Sequence, residues 1–158
     1  MALFPVAGMK IYIGQVLSDK STDFVESDFN TQSWTEIDGW SQMGTLGDSA
    51  NLISTALINR GRDQHQKGSA SSPATSMVFA QITTDPGQQQ LIVAAQPNNK
   101  NNYAFRILGN DSAGISPSKR YFIGLVMGTP EAGGSANTIL NLNVNIQVNS
   151  NIVRIAPT

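Results

Sequence analysis

An unbroken alternation near the C-terminus is the sequence feature that most constrains the fold of this chain. Along residues 140–149, five aliphatic residues alternate with five amide residues, the aliphatic set being Leu140, Leu142, Val144, Ile146 and Val148 and the amide set Asn141, Asn143, Asn145, Gln147 and Asn149. Successive side chains of a strand point to opposite faces, so this pattern predicts a long half-buried strand. Its amide face is either the solvent side of an edge or hairpin strand, or a surface that meets another subunit or lines a channel. The avoidance of charge favours the second interpretation.

Other apolar segments are short and have the β-branched and aromatic content of strands. Strands are predicted at residues 10–17, 34–40, 51–58, 77–82, 103–108 and 121–127, the last being apolar enough to be covered on both faces. In the 34–40 segment, a period of two places both tryptophans on the same face as Glu36 and Asp38. Either this strand is irregular near Asp38 and Gly39, or its acidic face looks into a shared, partly wet space.

Residues 85–88 have the sequence features of a helix N-terminus. Asp85 can cap a helix, Pro86 suits the first helical position, and Gln88 stands three residues after the cap, as in a capping box. The helix is expected to end near Gln96, because Pro97 follows. The sequence therefore predicts a mainly β fold with one α-helix, in a single domain over residues 1–158.

The surface chemistry is unusual. Charged residues make up 13% of the chain, against roughly 25% in typical globular domains. The sequence contains 14 Asn, 11 Gln and 16 Ser, so uncharged polar groups replace many charges. Such a surface is less costly to desolvate against a partner than a charged one. This composition is typical of a subunit that assembles, although a monomer of unusual composition is the alternative.

Residues 59–76 form the longest segment with no large apolar residue, and they include Arg60, Arg62 and Lys67. A loop of that length inside a compact domain is usually functional or disordered until bound. We therefore expect either a flexible interaction loop or a disordered loop without an interaction role. Acidic residues are concentrated in another loop, residues 18–32, where Phe24 and Phe29 are expected to pin the chain.

Catalytic and ligand-binding chemistry is sparse. There is no cysteine, the single histidine, His65, stands between two glutamines, and no glycine cluster has the residues of a phosphate-binding loop. The net charge of −1 provides no general attraction for nucleic acid or an anionic membrane. We expect no metal, no cofactor and no enzymatic activity. The N-terminus does not resemble a signal peptide and no segment is long enough to span a bilayer as a helix, so synthesis in the cytoplasm is expected.

Three segments resemble tail tube proteins of long-tailed phages. They are residues 85–91, where Asp and Gly-Gln open the helix; residues 7–14; and residues 34–37 followed by the glycine-rich residues 44–48. The resemblance follows most of the chain in order and spacing. It implies a β-sandwich or barrel-like subunit with a flanking helix, in which hexameric rings stack and one sheet of each subunit joins a continuous inner β-barrel.

That resemblance also implies partners and sites. The partners would be further copies of the chain, a tape-measure protein, and tail terminator or tip proteins, with double-stranded DNA passing without specific binding and no membrane involved. The chain would belong to the virion tail, assembled in the host cytoplasm. The loop at 59–76, with Arg60, Arg62, Asp63 and Lys67, would contact the next ring. Because basic residues are concentrated in this loop and acidic residues in another, we further hypothesise that its cations dock on acidic residues of the next ring, namely Asp19, Asp23 and Glu26.

A tube that DNA must traverse needs a wall without positive charge, because each cation that neutralises a phosphate strengthens binding. The candidates for this channel, or for the seam between subunits, are Glu36 and Asp38 on one strand and Asn141, Asn143, Asn145 and Gln147 on the last one. Two other classes stay open: a host- or carbohydrate-binding β-sandwich using Trp34 and Trp40, and a tube protein of a secretion system.

Overall fold

The computed structural model describes residues 3–111 and 115–158. Within these residues are eleven strands, one α-helix and one 3-10 helix at Glu26–Phe29. The strands are β1 Lys10–Val16, β2 Thr35–Ile37, β3 Trp40–Gln42, β4 Ser49–Thr55, β5 Gln64–Ser71, β6 Ala74–Ala80, β7 Tyr103–Leu108, β8 Lys119–Gly128, β9 Glu131–Ala132, β10 Asn141–Val148 and β11 Val153–Ile155, and helix α1 spans Pro86–Ala94. The prediction of a mainly β fold with one α-helix is confirmed.

The main sheet is a curled, antiparallel half-barrel. Seven strands follow the order β2-β1-β7-β8-β10-β6-β3, while β11 pairs with β8 and β9 pairs with β10. The two end strands, β2 and β3, are separated in sequence only by Asp38 and Gly39. Two residues span roughly 7 Å at most, so the sheet has to curl until its ends approach each other. Helix α1 packs against β1, β2 and β8 beside this junction.

Apolar side chains form two layers, one on each face of the sheet. The larger layer lies inside the curl, where helix residues Leu91 and Ala94 meet aliphatic and aromatic residues of the strands. The smaller layer lies outside, where Phe24 and Phe29 cover Tyr121 and neighbouring residues of β7 and β8. Strand β8 is therefore covered on both faces along much of its length, as its sequence predicts.

The irregular interpretation of residues 34–40 is confirmed. The segment divides into β2 and β3 at Asp38 and Gly39, and the two halves pair with β1 and β6 at opposite ends of the sheet. Gly39 adopts φ +80°, and a side chain there would collide with the carbonyl oxygen of Ala80. Glycine is needed at this position for both its backbone conformation and its lack of a Cβ.

Helix α1 begins as predicted at its N-cap. The Asp85 carboxylate accepts a hydrogen bond from the Gln88 backbone N–H at 3.0 Å, and Pro86 is the first helical residue. The second half of the predicted capping box is wrong, because the Gln88 side chain bonds elsewhere, as described below.

The prediction of a structureless loop at residues 59–76 is wrong. Most of this segment is β5 and the start of β6, and only residues 59–63 and 72–73 lie outside strands. The sequence misleads here because β5 is exposed on both faces and therefore has no apolar alternation. The edge-strand alternative for residues 140–149 is also wrong, since β10 lies between β6 and β8.

Candidate assembly surfaces

A two-stranded ribbon projects from the body and is called the arm, comprising β4, β5 and the turn 56–63 between them. Strand β4 pairs with β5 alone, in a separate sheet. Every residue of both strands is exposed except Gly68, which is half-buried. Large aliphatic side chains are exposed too: Leu52 by 72%, Ile53 by 46% and Ile58 completely. An isolated two-stranded ribbon is marginal in water, so the arm needs a surface to pack on.

The arm contains the predicted basic set. Arg60, Arg62 and Asp63 lie in its turn and Lys67 lies on β5, and all four are exposed. Across the described ranges, the one ion pair within 4.0 Å is that of Lys20 with Asp28, at 2.6 Å. The cations of the arm therefore have no carboxylate partner in that part of the chain.

The root of the arm is hydrogen-bonded to the body. The Ser72 hydroxyl contacts the Asp48 carboxylate and donates to the Ser150 carbonyl at 3.3 Å. The Gln147 side-chain amide donates to the Ser72 carbonyl at 3.0 Å. A cleft of about 420 Å³ lies beside these contacts and is also lined by Asp23. Gln147 is thus engaged at the root of the arm, a role that its place in the alternating pattern does not reveal.

The acidic segment is held to the outer face of the sheet by its two phenylalanines, as expected. The ring of Phe29 stacks on Tyr121 with centroids 5.0 Å apart, and the Phe24 backbone N–H donates to the Asn151 side chain at 2.7 Å. The Lys20 ammonium hydrogen-bonded to Asp28 holds the pKa of that carboxyl below its usual value, helped by the Val25 backbone N–H.

The predicted acidic partners, Asp19, Asp23 and Glu26, are all exposed on this segment. Within one subunit they form no ion pair with the arm across the described residues. The structure therefore leaves both sets of charges available to other molecules.

The amide residues of β10 share an uncharged surface with their neighbours. The register places Asn141, Asn143 and Asn145 beside Ala80, Val78 and Ser76 of β6, respectively. On the other side, Leu125 of β8 pairs with Gln147. Asn145 is exposed, while Asn141, Asn143, Val78 and Leu125 are half-buried. We call the surface of Asn141, Asn143, Asn145, Ser76, Val78 and Leu125 the amide face.

The two acidic candidates for the channel lie elsewhere. Glu36 is exposed on β2, at one end of the sheet, opposite Tyr12 of β1. Asp38 lies in the break between β2 and β3, where its backbone N–H donates to the Asp85 carboxylate at 3.2 Å. The set predicted from sequence is therefore divided between two places in the fold.

Gln88 is a buried polar residue of the core that bonds to three separate backbone groups. It is 1% exposed. Its side-chain oxygen accepts from the Ile82 backbone N–H at 2.9 Å, while its nitrogen donates to the carbonyls of Asp38 at 2.7 Å and Ala80 at 2.9 Å. These bonds join the start of the helix to the junction between β2 and β3 and to the end of β6. The local pattern around Asp85 identifies Gln88 as a helix-start residue but not as this link.

Arg106 is another residue that sequence reasoning missed. Its guanidinium lies 4.3 Å from the ring centre of Tyr12 and 5.0 Å from that of Trp34. Burial raises the pKa of the neighbouring Tyr121 hydroxyl. The contacts are cation–π interactions, and they join β7 to β1 and to the residue that precedes β2.

Within residues 3–111 and 115–158, no group of three or more His, Cys, Asp or Glu side chains is arranged to hold a metal ion. The helix in those ranges is too short to cross a membrane. His65 is exposed on the arm, where it pairs with Ser54.

No protein-family model matches the chain, and no curated protein matches it in sequence. Solved structures do match it over nearly its whole length. A chain of the anti-feeding prophage baseplate superposes with a TM-score of 0.72 at 8% identity, covering 99% of this chain and 98% of that one. A chain of the sheath/tube terminator structure of PVC, an extracellular contractile injection system, gives 0.71 at 13% identity and 99% coverage of both.

A phage tail tube is also among the matching structures. The SPP1 tail tube superposes with a TM-score of 0.63 at 14% identity, covering 96% of this chain and 80% of that chain. These identities are low, so the likeness concerns the fold. In all three matches the superposition extends over at least 96% of this chain. The protein therefore has the tail-tube fold, which occurs in a phage tail tube and in contractile injection systems.

Proposed function

We propose that this protein is a structural subunit that self-assembles into stacked rings, six subunits to a ring, and so forms a phage tail tube through which the genome passes. The arm is the observation that supports this most strongly. It is a ribbon of two seven- to eight-residue strands with exposed aliphatic side chains, and it packs on no other sheet of the described chain. A second copy supplies the surface that the arm lacks.

Charge complementarity supports a contact between rings. Arg60, Arg62 and Lys67 of the arm, beside Asp63, dock on Asp19, Asp23 and Glu26 of a subunit in the next ring. Both sets are exposed and lack counter-ions within their own described chain. Exposed pairs contribute little individually, at roughly 0–1 kcal/mol each, but every ring repeats the contact six times.

A conduit wall must release DNA. Glu36 and Asp38, or the β10 amides Asn141, Asn143, Asn145 and Gln147, meet this requirement because none is positively charged. A neutral or negative wall forms no counterion-releasing contacts with phosphates, so DNA slides along it.

The proposed partners are further copies of the chain, a tail terminator or tip complex, a tape-measure protein and passing double-stranded DNA. The tube-terminator structure among the matches supports the terminator in particular. The protein acts as a wall and not as an enzyme, belongs to the virion tail and is assembled in the host cytoplasm. A tube of a secretion system has the same architecture and differs in its cargo.

The alternative of a carbohydrate- or host-binding module is less favoured. It would need exposed aromatic side chains. Trp34 is half-buried and packs against Tyr121 at 5.9 Å between ring centres, and Trp40 is half-buried and stacks on Phe79 at 6.5 Å. Each tryptophan ring is therefore engaged by another aromatic ring of the same chain, which disfavours a sugar-stacking role.

Electron microscopy of the purified protein tests this function. The wild-type chain is expected to form hollow rings or tubes, and a variant lacking residues 56–66 is expected to remain as folded subunits. Tubes of normal length and yield from the deletion variant would contradict the role of the arm. Monodisperse wild-type monomers at every concentration would favour the binding-module alternative.

A further inference from the structure

The two faces of the arm differ in charge. Antiparallel partners share a face, so the register places Leu52 with Lys67 and Ser54 with His65 on one side, which we call the basic face. The other side, the neutral face, consists of Ile53, Thr55, Gln64 and Gln66. No member of the neutral face has an ionisable side chain, so its burial requires no charge to be desolvated.

The neutral face has a packed centre. The side chain of Ile53 covers Gly68, with its Cγ1 and Cδ1 atoms 3.0 and 3.1 Å from the position that a Cβ of Gly68 would occupy. An Asn51 amide donates to the Ser69 hydroxyl across the two strands at 3.2 Å. Ile53 is therefore held flat against the ribbon, and the exposed glutamines 64 and 66 lie beside it.

The amide face of the body has matching chemistry. It combines the amides of Asn143 and Asn145 with half-buried Val78 and Leu125, and it has no ionisable member. Among the described residues, the hydrogen bonds of β10 amide side chains are those of Gln147. An Asn or Gln side chain has both donors and acceptors, so free amides on two surfaces can bond reciprocally while aliphatic groups pack between them.

One amide of the β10 row already contacts the root of the arm inside the chain. Gln147, the fourth amide of the β10 row, donates to the Ser72 carbonyl at the root of the arm. The arm thus leaves the body at one end of the β10 amide row. Among the described residues, the other amides of that row make no side-chain hydrogen bond.

We infer that the neutral face of the arm packs on the amide face of a second copy of this chain, with Gln64 and Gln66 bonding to Asn143 and Asn145. The inference rests on the proposed self-assembly and extends it, because it assigns the amide face to the seam between subunits and not to the channel. The contact joins two different patches, so it is head-to-tail and closes into rings or continues as a helix. The basic face of the arm is left free for carboxylates.

Lysine substitutions test the contact. Asn145→Lys on the body and Gln66→Lys on the neutral face each bury a charge in the seam, so each is expected to raise the protein concentration needed for assembly at least about tenfold. Ser54→Lys is the matched control, since Ser54 is equally exposed on the basic face of the same ribbon. Its assembly is expected to be no weaker than that of the wild type, because the basic face meets carboxylates. Sedimentation measures assembly, and an unchanged melting temperature verifies that each variant is folded.

A paired exchange adds a second measurement. Gln66→Glu combined with Asn145→Lys places opposite charges in the seam and is expected to recover assembly relative to either single variant. If Asn145→Lys assembles like the wild type, or if Gln66→Lys and Ser54→Lys behave alike, the inference is overturned. Normal tubes that fail only in DNA passage would overturn it as well and place the amide face in the channel. Failure of the proposed function is distinct, because the wild type itself would then form no rings or tubes.

Discussion

Replacement of Gln88 by alanine removes the link between helix α1, the junction of β2 with β3, and the end of β6. The substitution deletes three hydrogen bonds of 2.7 to 2.9 Å from a site that is 1% exposed. Each bond contributes about 1 kcal/mol net, and a buried donor left without a partner costs about 1–3 kcal/mol. The Ile82 N–H loses its side-chain partner, so the free energy of unfolding is expected to fall by about 3–5 kcal/mol.

That loss is large compared with the total stability of a domain, about 5–15 kcal/mol. At about 2–4 °C per kcal/mol for a chain of this size, the melting temperature is expected to fall by roughly 10 °C. Urea unfolding followed by circular dichroism measures the free energy directly. The matched control is Gln89→Ala, which removes one exposed bond to the Thr83 carbonyl in the same helical turn and is expected to cost less than about 1 kcal/mol. Equal effects of the two substitutions would refute the role of Gln88 as this link.

Three further predictions concern packing, pH and salt. Gly87→Ala places a Cβ against the backbone of β2 and is expected to lower the free energy of unfolding in urea by about 1–3 kcal/mol. Gly128→Ala is the control and is expected to cost less, because its Cβ would meet only a proline ring at 3.8 Å. A larger loss for Gly128→Ala than for Gly87→Ala would contradict this packing. Lys20 lowers the pKa of Asp28. The stabilising contribution of the Asp28 carboxylate is therefore complete above its unfolded pKa of 3.8 and is lost as the pH falls through its folded pKa. When Asp28→Asn is titrated with acid, its unfolding free energy should lack this pH-dependent loss. Raising salt to 1 M shortens the Debye length to about 3 Å and is expected to slow assembly of the wild type, as followed by light scattering, and to slow Arg62→Ala less; equal slowing of both would exclude Arg62 from the contact.

The sequence predicts the body of this fold well where one face of an element is buried. The alternation along residues 140–149 identified β10 and the burial of its aliphatic side chains, because a buried face imposes a period of two. The cap at Asp85 and the proline after it located α1, because helix ends depend on local hydrogen bonds. Both features are determined by residues close together in sequence.

The arm and the polar links were not predictable in the same way. Strand β5 is exposed on both faces, so no hydrophobic pattern distinguishes it from a loop, and only its pairing with β4 makes it a strand. Gln88 bonds to a carbonyl fifty positions away, and Gln147 bonds to the root of the arm seventy-five positions away. Such contacts depend on topology, which local patterns do not specify. To predict that the arm and the amide face match in chemistry, one would likewise need to know the strand register of two separate sheets.

Cryo-electron microscopy of the assembled wild-type protein tests the central claim most directly. The account predicts stacked six-fold rings around a continuous open channel, with density for the arm of each subunit lying on a neighbour and no lysine or arginine side chains concentrated on the channel wall. Solid or irregular aggregates, or rings in which the arms point into solvent and touch no other subunit, would contradict it.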